Sequence, residues 1–378
     1  MKVIALYLPQ YHPTKHNNEW WGEGFTEWTN VAKAEKYFRG HYQPKIPADL
    51  GFYDLRLPES REKQVELAKK AGIDGFCYYH YWFGNGQREL ELPFEEVLKS
   101  GKPDFPFCLC WANESWARKF WNKDGAVVGR NILVEQSYPG TEDYKRHFET
   151  VLPAFKDHRY IKIEGKPIFM IYKPLDFKDV KEFIRLWNQW AKENGLPGIY
   201  FMAYTQNITS QYEKIMDCGV DAVCSCRLPY ACAPYSVNKG FKGFCSRMYH
   251  RIWWYLTHSP RRYDYKKSLS KLIGREEKEK ENVFPTLMPN WDHTARSGRC
   301  GYLFTNSTPE LFQKHCEDVF SKISSKKEEN QIVFLKSWNE WGEGNYMEPD
   351  LKYGHGYIDA LRNALNKFTG KAKEAKIE

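Results

Sequence analysis

The sequence predicts an α/β protein of the (β/α)8 TIM-barrel class, one domain of 378 residues with extended loops after its strands. Three observations carry that expectation. Eight short apolar runs alternate with segments of helical pattern. The runs are apolar almost throughout, as strands of a parallel sheet are when both faces are buried. Their C-terminal ends turn polar and aromatic, and in barrels active sites lie at that end. An open doubly wound sheet is the alternative, but no Gly-rich nucleotide loop follows the first run.

In chain order, the first strand is read in "KVIALYLP" (2–9), followed by a long loop and a helix over Arg61–Ala71. "IDGFCYYHYW" (73–82) precedes a helix at Phe94–Lys99, and "PFCLCWA" (106–112) precedes one at Glu142–Phe155. "PIFMIYK" (167–173) leads to Val180–Asn194, and "IYFMAYT" (199–205) to Gln211–Cys218. "AVCSCRL" (222–228) is followed by Phe244–Leu256, "VFPTLMPNW" (283–291) by Pro309–Ile323, and "QIVFLKSW" (331–338) by Tyr357–Phe368. The barrel so defined occupies residues 1–368 with a basic, Trp-containing insertion over about 239–281, and the tail 369–378 is expected to fray.

Composition narrows the function. The chain carries 14 Trp, 25 Tyr and 23 Phe. Aromatics fill cores, but they also line carbohydrate sites, where the C–H face of a sugar packs on a ring. Ten cysteines in a chain of this length do not read as a disulfide framework. Cys108/Cys110 and Cys224/Cys226 sit two apart in apolar runs, as buried reduced thiols on one face of a strand, and no C-x-x-C pair suggests zinc. No stretch approaches the length of a transmembrane helix, and "MKVIALYLPQYHP" lacks a signal-peptide cleavage site. The expected location is cytoplasmic, with the cell envelope as the alternative.

The net charge of +8 is concentrated. Between Lys239 and Lys271 nine basic residues face one acid, Asp264, beside Trp253, Trp254 and Tyr255. Such a window is either the solvated face of an inserted helix or a weak contact for anionic lipid headgroups or an acidic polysaccharide. Nothing further points to nucleic acid.

The stretch "SWNEWGEG" (337–344) places Glu340 and Glu343 directly after the eighth strand. In extended chain, residues three apart point to opposite faces, so the two converge only if the backbone turns, and Gly342 and Gly344 permit that. Paired carboxylates in an apolar site have their pKa values pushed apart, so one donates a proton while the other stays ionised. Glycoside hydrolysis needs that division. The alternative is a solvated surface turn; the flanking Trp338 and Trp341 and the position at a strand exit favour catalysis.

The other exits supply a candidate sugar-binding wall: Tyr11 and His12; Tyr79, His80 and Trp82; Trp111, Asn113, Glu114 and Trp116; Tyr204; Trp291 and Asp292; Trp338, Asn339 and Trp341. Trp20 and Trp21, in the long first loop, are either a stacking platform or that loop's own core. His12 and His16 lie four apart near Glu19, but Pro13 argues against one shared helical face, so no metal is expected there. His80 either bonds a sugar hydroxyl or fills a barrel layer. Glu114 and Asp292 either bind hydroxyls or pair with Arg118 and Arg296.

The segments "LPQYHP", "EWWGEGFTEWTNV", "HYQPKIPADLGFYDLRLPE", "GIDGFCYYHYWF", "PDFPFCLCWANESW", "MPNWDHTAR" and "WNEWGEGNYMEPD" together resemble WbsX-type proteins, a group similar to glycoside hydrolase family 99, the endo-α-mannosidases and mannanases. The matching segments run from the first strand past the eighth, and 208–281 shows little of the pattern. The resemblance implies a (β/α)8 fold and retaining hydrolysis of an α-glycosidic bond without metal or other cofactor. It implies that Glu340 acts as base on the sugar's own 2-hydroxyl, or as direct nucleophile, and Glu343 as general acid/base. One departure stands out: the mannosidases tend to carry His where this chain has Gly342. The expected partner is an oligo- or polysaccharide bound by a monomer. The competing readings are a glycosyltransferase-like enzyme of surface-polysaccharide synthesis and an inactive glycan-binding barrel. Against the former, no Asp-x-Asp-type metal motif is seen.

Overall fold

The computed structural model describes residues 1–121, 127–232 and 240–374, with side chains for 1–117, 131–232 and 240–370. Eight strands close a parallel barrel: β1 (Lys2–Tyr7), β2 (Gly75–Trp82), β3 (Phe107–Trp111), β4 (Lys166–Ile171), β5 (Tyr200–Thr205), β6 (Ala222–Ser225), β7 (Val283–Leu287) and β8 (Ile332–Leu335). Each pairs with its sequence neighbour, and β1 closes the ring by pairing with both β2 (Ile4 opposite Gly75) and β8 (Ala5 opposite Leu335). All eight runs read as strands in the sequence are strands here, because both faces of each are covered and apolar side chains suit either.

The outer layer contains α1 (Pro58–Ala71), α2 (Leu92–Ser100), α3 (Thr141–Lys156), α4 (Val180–Glu193), α5 (Ile208–Met216), α7 (Pro309–Ile323) and α8 (Gly356–Glu374), numbered to leave α6 for Gly240–Thr257. α1 shows how the sequence sets one such helix. Pro58 opens it, Gly72 caps it in the left-handed region (φ 86°), and Arg61, Gln64, Val65, Ala68 and Ala71 form its buried stripe. α8 packs on α7 and α1, and closes the outer layer as β1 and β8 close the inner one.

Two expectations change. The segment Phe244–Leu256 is helical, but α6 buries only Gly243 and is not the barrel's sixth helix. The helix Arg275–Glu279 takes that place against β7 and α7. Its Glu277 is buried, accepts from Ser225 Oγ of β6 at 2.6 Å, and pairs with Arg227 at 2.7 Å. Second, α8 runs on to Glu374 rather than stopping near 368; residues 375–378 of the expected frayed tail, Lys239 of the basic window and the Arg118 side chain lie outside what is described.

The ten cysteines are free thiols, and Cys108, Cys110, Cys224 and Cys226 are buried.

Candidate active site

A cavity of about 650 Å³ opens at the C-terminal end of the barrel. β1 continues into Leu8 and Gln10, β2 supplies Tyr79 and Tyr81, and the chain after β3 supplies Glu114 and Trp116. Tyr172 follows β4, Arg296 comes from the loop after β7, and Lys336, Glu340 and Glu343 follow β8. The loop after β1 adds Trp21 and Glu27 to the lining from its short helices Lys15–Trp21 and Glu27–Ala32. Thr26 caps the second of these, accepting from Trp28 N at 3.2 Å, which fixes the point at which Glu27 leaves the backbone.

The floor is a charge cluster centred on Arg296. Its guanidinium reaches Glu340 Oε1 at 2.7 Å, Glu343 Oε1 at 2.9 Å and Glu27 Oε2 at 2.9 Å. Lys336 Nζ lies 3.7 Å and His293 Nε2 3.6 Å from Glu343. The backbone turn that brings the glutamates together is a single 3-10 turn, Trp341–Glu343, ended by Gly344 in the left-handed region (φ 53°). Gly342 answers to a different demand: a Cβ there would collide with the Glu27 carboxylate and lie 2.9 Å from Arg296 Nε.

Electrostatics divide the pair. Burial, with the charge of Glu343 beside it, pushes Glu340 up to about 7. Burial raises Glu343 as well, but Lys336, Arg296 and His293 outweigh it and hold it below the usual carboxylate range. Below about pH 7 the pair therefore holds one proton, resting on Glu340. That is the reverse of the placement the family resemblance implies for the start of reaction.

Of the residues singled out in the sequence, Trp21, Tyr79, Glu114, Trp116, Glu340 and Glu343 line this cavity together. Glu114 pairs with Lys173 at 3.4 Å. The others are off the wall, and each has structural partners. Trp20 stacks on His16 and meets Trp116 edge-on. Tyr11 bonds the carbonyl of Asn339 and accepts from Trp341 N, and Asn339 exchanges two hydrogen bonds with Leu8, so these two tie the exits of β1 and β8 together. Trp338 is fully buried, and Trp341 stacks on Tyr346 at 3.7 Å and donates to Glu348 at 2.6 Å. Both back the carboxylates and neither faces the cavity, contrary to the expectation that they wall it.

His80 lies on the face of β2 opposite Tyr79 and Tyr81 and meets His147 of α3 at 2.8 Å, with its pKa lowered to about 3 by burial. It packs between strand and outer helix, so it neither borders the cavity nor fills a layer inside the barrel. Trp82 stacks on the same His147 and donates to Asp143, and Trp111 donates to the carbonyl of Trp82. Asn113 bonds both the carbonyl and the amide of Lys173. Tyr204 stacks on Tyr172 in a smaller neighbouring cavity of about 150 Å³. Trp291 stacks beside His293 and Tyr302. Asp292 is buried with His41, Gln43 and Lys45, and although burial raises it, Lys45 and His41 hold it well below the ordinary range; it does not pair with Arg296. His12 bonds the carbonyl of Pro9 while His16 pairs with Glu89, so the two histidines do not converge. Among the described residues no three His, Cys, Asp or Glu side chains gather as metal ligands.

Sequence reasoning missed Glu27, Lys336, Tyr81 and Tyr172, and gave Arg296 only a supporting part. Glu27 and Arg296 are 269 residues apart in sequence, and no spacing rule links them. Alternation along the strand was the available signal for Tyr81, two residues beyond Tyr79 and on the same face of β2.

Comparison with known proteins gives the family and the fold. Two curated relatives, both described as uncharacterized protein WxcX, from Xanthomonas campestris pv. campestris strains B100 and ATCC 33913, are 31% identical over 380 aligned residues. The alignment takes in 98% of this chain, which spans about half the length of those relatives. Among solved structures, the GH99 endo-alpha-mannosidase from Bacteroides thetaiotaomicron in complex with BIS-TRIS-propane superposes with a TM-score of 0.59 at 15% identity, covering 99% of this chain and 98% of that one. A second structure of a GH99 endo-alpha-mannosidase from that organism gives 0.53 at 16% identity, over 100% and 98% of the two chains. A glycoside hydrolase-like protein gives 0.58 at 15% identity, over 96% and 93%. The family model described as glycosyltransferase WbsX matches residues 3–361, and the chain belongs to that WbsX family.

Proposed function

We propose that the chain is a glycoside hydrolase that cleaves an α-linked glycan with retention, using Glu340 and Glu343 as its carboxylate pair. One observation carries the reading: two buried glutamates on the floor of a barrel-end cavity, held by one guanidinium and divided in protonation. The cavity has the size of a small-ligand site, for which about 300–1,000 Å³ is usual. Trp21, Trp116, Tyr79 and Tyr81 offer ring faces and hydroxyls for sugar.

In the proposed reaction Glu340 takes the proton of the substrate's 2-hydroxyl, whose oxygen attacks the anomeric carbon to form a 1,2-anhydro sugar. Glu343 gives a proton to the departing glycosidic oxygen. Water then opens the epoxide at the anomeric carbon, Glu343 takes the proton of that water, and Glu340 returns its proton to O2. Two inversions give net retention. If Glu340 attacks directly, the same pair serves through a glycosyl-enzyme ester. The reaction starts with the proton on Glu343, whereas the empty site rests it on Glu340. Both arrangements hold one proton between two groups, so they are tautomers of one macroscopic state. A glycosidic oxygen accepting from Glu343 and a hydroxyl donating to Glu340 favour the reactive tautomer as substrate binds.

The test is release of reducing sugar from a panel of α-linked glycans by wild type, Glu340→Gln and Glu343→Gln. Activity lost by orders of magnitude in both variants, with melting unchanged, supports the pair; full activity in either removes that glutamate from the mechanism. A second reading, transfer from a nucleotide sugar, has the description of the family model in its favour. A wild type inert on every glycan that consumes a nucleotide sugar would replace hydrolysis with transfer. Glycan binding without turnover of either kind would replace both with a binding barrel.

A further inference from the structure

We propose that α6 docks this protein onto an anionic membrane surface. The helix spans Gly240–Thr257 and contains no Asp or Glu. The barrel does not need it, since Arg275–Glu279 fills the outer layer between β6 and β7. Most of its large apolar side chains are outside, while Trp253 and Trp254 are half-buried. Phe241, Phe244, Met248, Ile252, Tyr255 and Leu256 are all exposed, with Phe241, Tyr255 and Leu256 at 80%, 74% and 72%. At 3.6 residues per turn these six fall within about 120° of the helix circumference. Lys242 borders this stripe on one side, Arg247 and Arg251 on the other.

The opposite face rests on the protein. Gly243 is buried there, His250 meets the Tyr263 hydroxyl at 3.2 Å, and the Trp253 ring lies 5.4 Å from the Arg262 guanidinium. A solvated helix turns its apolar side inward. This one presents a continuous apolar stripe between two basic borders, the pattern of a helix lying in the plane of a lipid headgroup layer. Among the described residues no helix is long and apolar enough to cross a membrane.

Charge and chemistry choose the occupant. Two copies meeting through this stripe would oppose like charges along both borders. An acidic polysaccharide would satisfy the cations but offers no apolar interior to Met248, Ile252 and Leu256. Anionic lipid supplies both. A relay of contacts links the helix to Glu343. Arg262 belongs to the strand Arg261–Asp264, which pairs with Tyr302–Thr305; Tyr302 stacks on His293, which lies 3.6 Å from Glu343.

The experiment is flotation of the full chain with vesicles of phosphatidylcholine alone and of phosphatidylcholine mixed with phosphatidylglycerol. An environment-sensitive dye on exposed Cys245, which faces the same way as the stripe, reports entry into the interface. Wild type is expected to float with the phosphatidylglycerol vesicles only, less so as salt rises, with a blue-shifted dye signal. The double variant Arg247→Glu, Arg251→Glu is expected to lower partitioning roughly thirtyfold or more. The triple variant Phe244→Ser, Ile252→Ser, Leu256→Ser is expected to abolish the dye shift. Both leave the barrel's melting unchanged, since the replaced side chains are exposed. Failure to float with anionic vesicles, equal flotation with neutral ones, flotation with no dye shift, binding confined to a soluble acidic polysaccharide, or a self-association that the triple variant removes would each overturn the proposal. None of these readouts requires turnover, so they stand apart from the hydrolase test.

Discussion

Arg296 sets what the two glutamates can do. Its contacts hold the two glutamates side by side, while burial and the charge of Glu343 raise Glu340 against the pull of Arg296, so the pair keeps one proton below about pH 7. Glu340 is raised to about 7, so above that pH the pair loses its last proton and no acid remains for the leaving group. On the hydrolase reading, kcat/KM measured against pH should fall above about pH 7, approaching tenfold per pH unit; a flat profile through pH 9 would contradict the shared proton. Gly342 yields a second prediction. A methyl group there displaces the Glu27 carboxylate from Arg296 and with it the registration of Glu340 and Glu343. Gly342→Ala should cost roughly a hundredfold in kcat with melting little changed, and assays of kcat beside thermal unfolding check it. The sequence made Glu340 and Glu343 legible because their spacing, glycines and strand exit are all local. Glu27 carried no local signal, since only the closed barrel brings the first loop against the last.

At the scale of elements, the loop after β8 is held from behind. Glu348 is buried and accepts from Trp341 Nε1, Gln64 Nε2 of α1 and the Tyr53 hydroxyl, at 2.6, 2.7 and 2.9 Å. Glu348→Ala leaves three buried donors without an acceptor and should destabilise the fold by roughly 3 kcal/mol or more, read from urea unfolding; Glu348→Gln, which keeps one acceptor oxygen, should lose less. The elements also show where sequence reading ends. The eight strands were legible because unbroken apolar runs of that length have few other uses in a chain that alternates them with helices. α6 was legible as a helix, but the reading made it the barrel's sixth as well as part of an insertion, and the structure corrects only the first of these. Its period of 3.6 says that one side is apolar, and cannot say whether that side faces the barrel or away from it.

Across the whole molecule, reactivity should follow burial. Eight cysteines are buried, Cys300 is half-buried and Cys245 is exposed. Titration of native protein with a thiol reagent should modify Cys245 quickly and Cys300 slowly, with the other eight appearing only after unfolding; rapid reaction of more than two thiols would contradict the closed barrel. The same closure has a consequence for synthesis. Glu27 is translated early, Arg296 much later, and Glu340 and Glu343 later still. A chain emerging from the ribosome carries its first loop from the start with nothing for Glu27 to pair with, and the barrel has no β8 to seal it against β1. Release of the last strand and the turn after it thus both seals the barrel and completes the Arg296 carboxylate cluster, so a chain terminated before β8 lacks both.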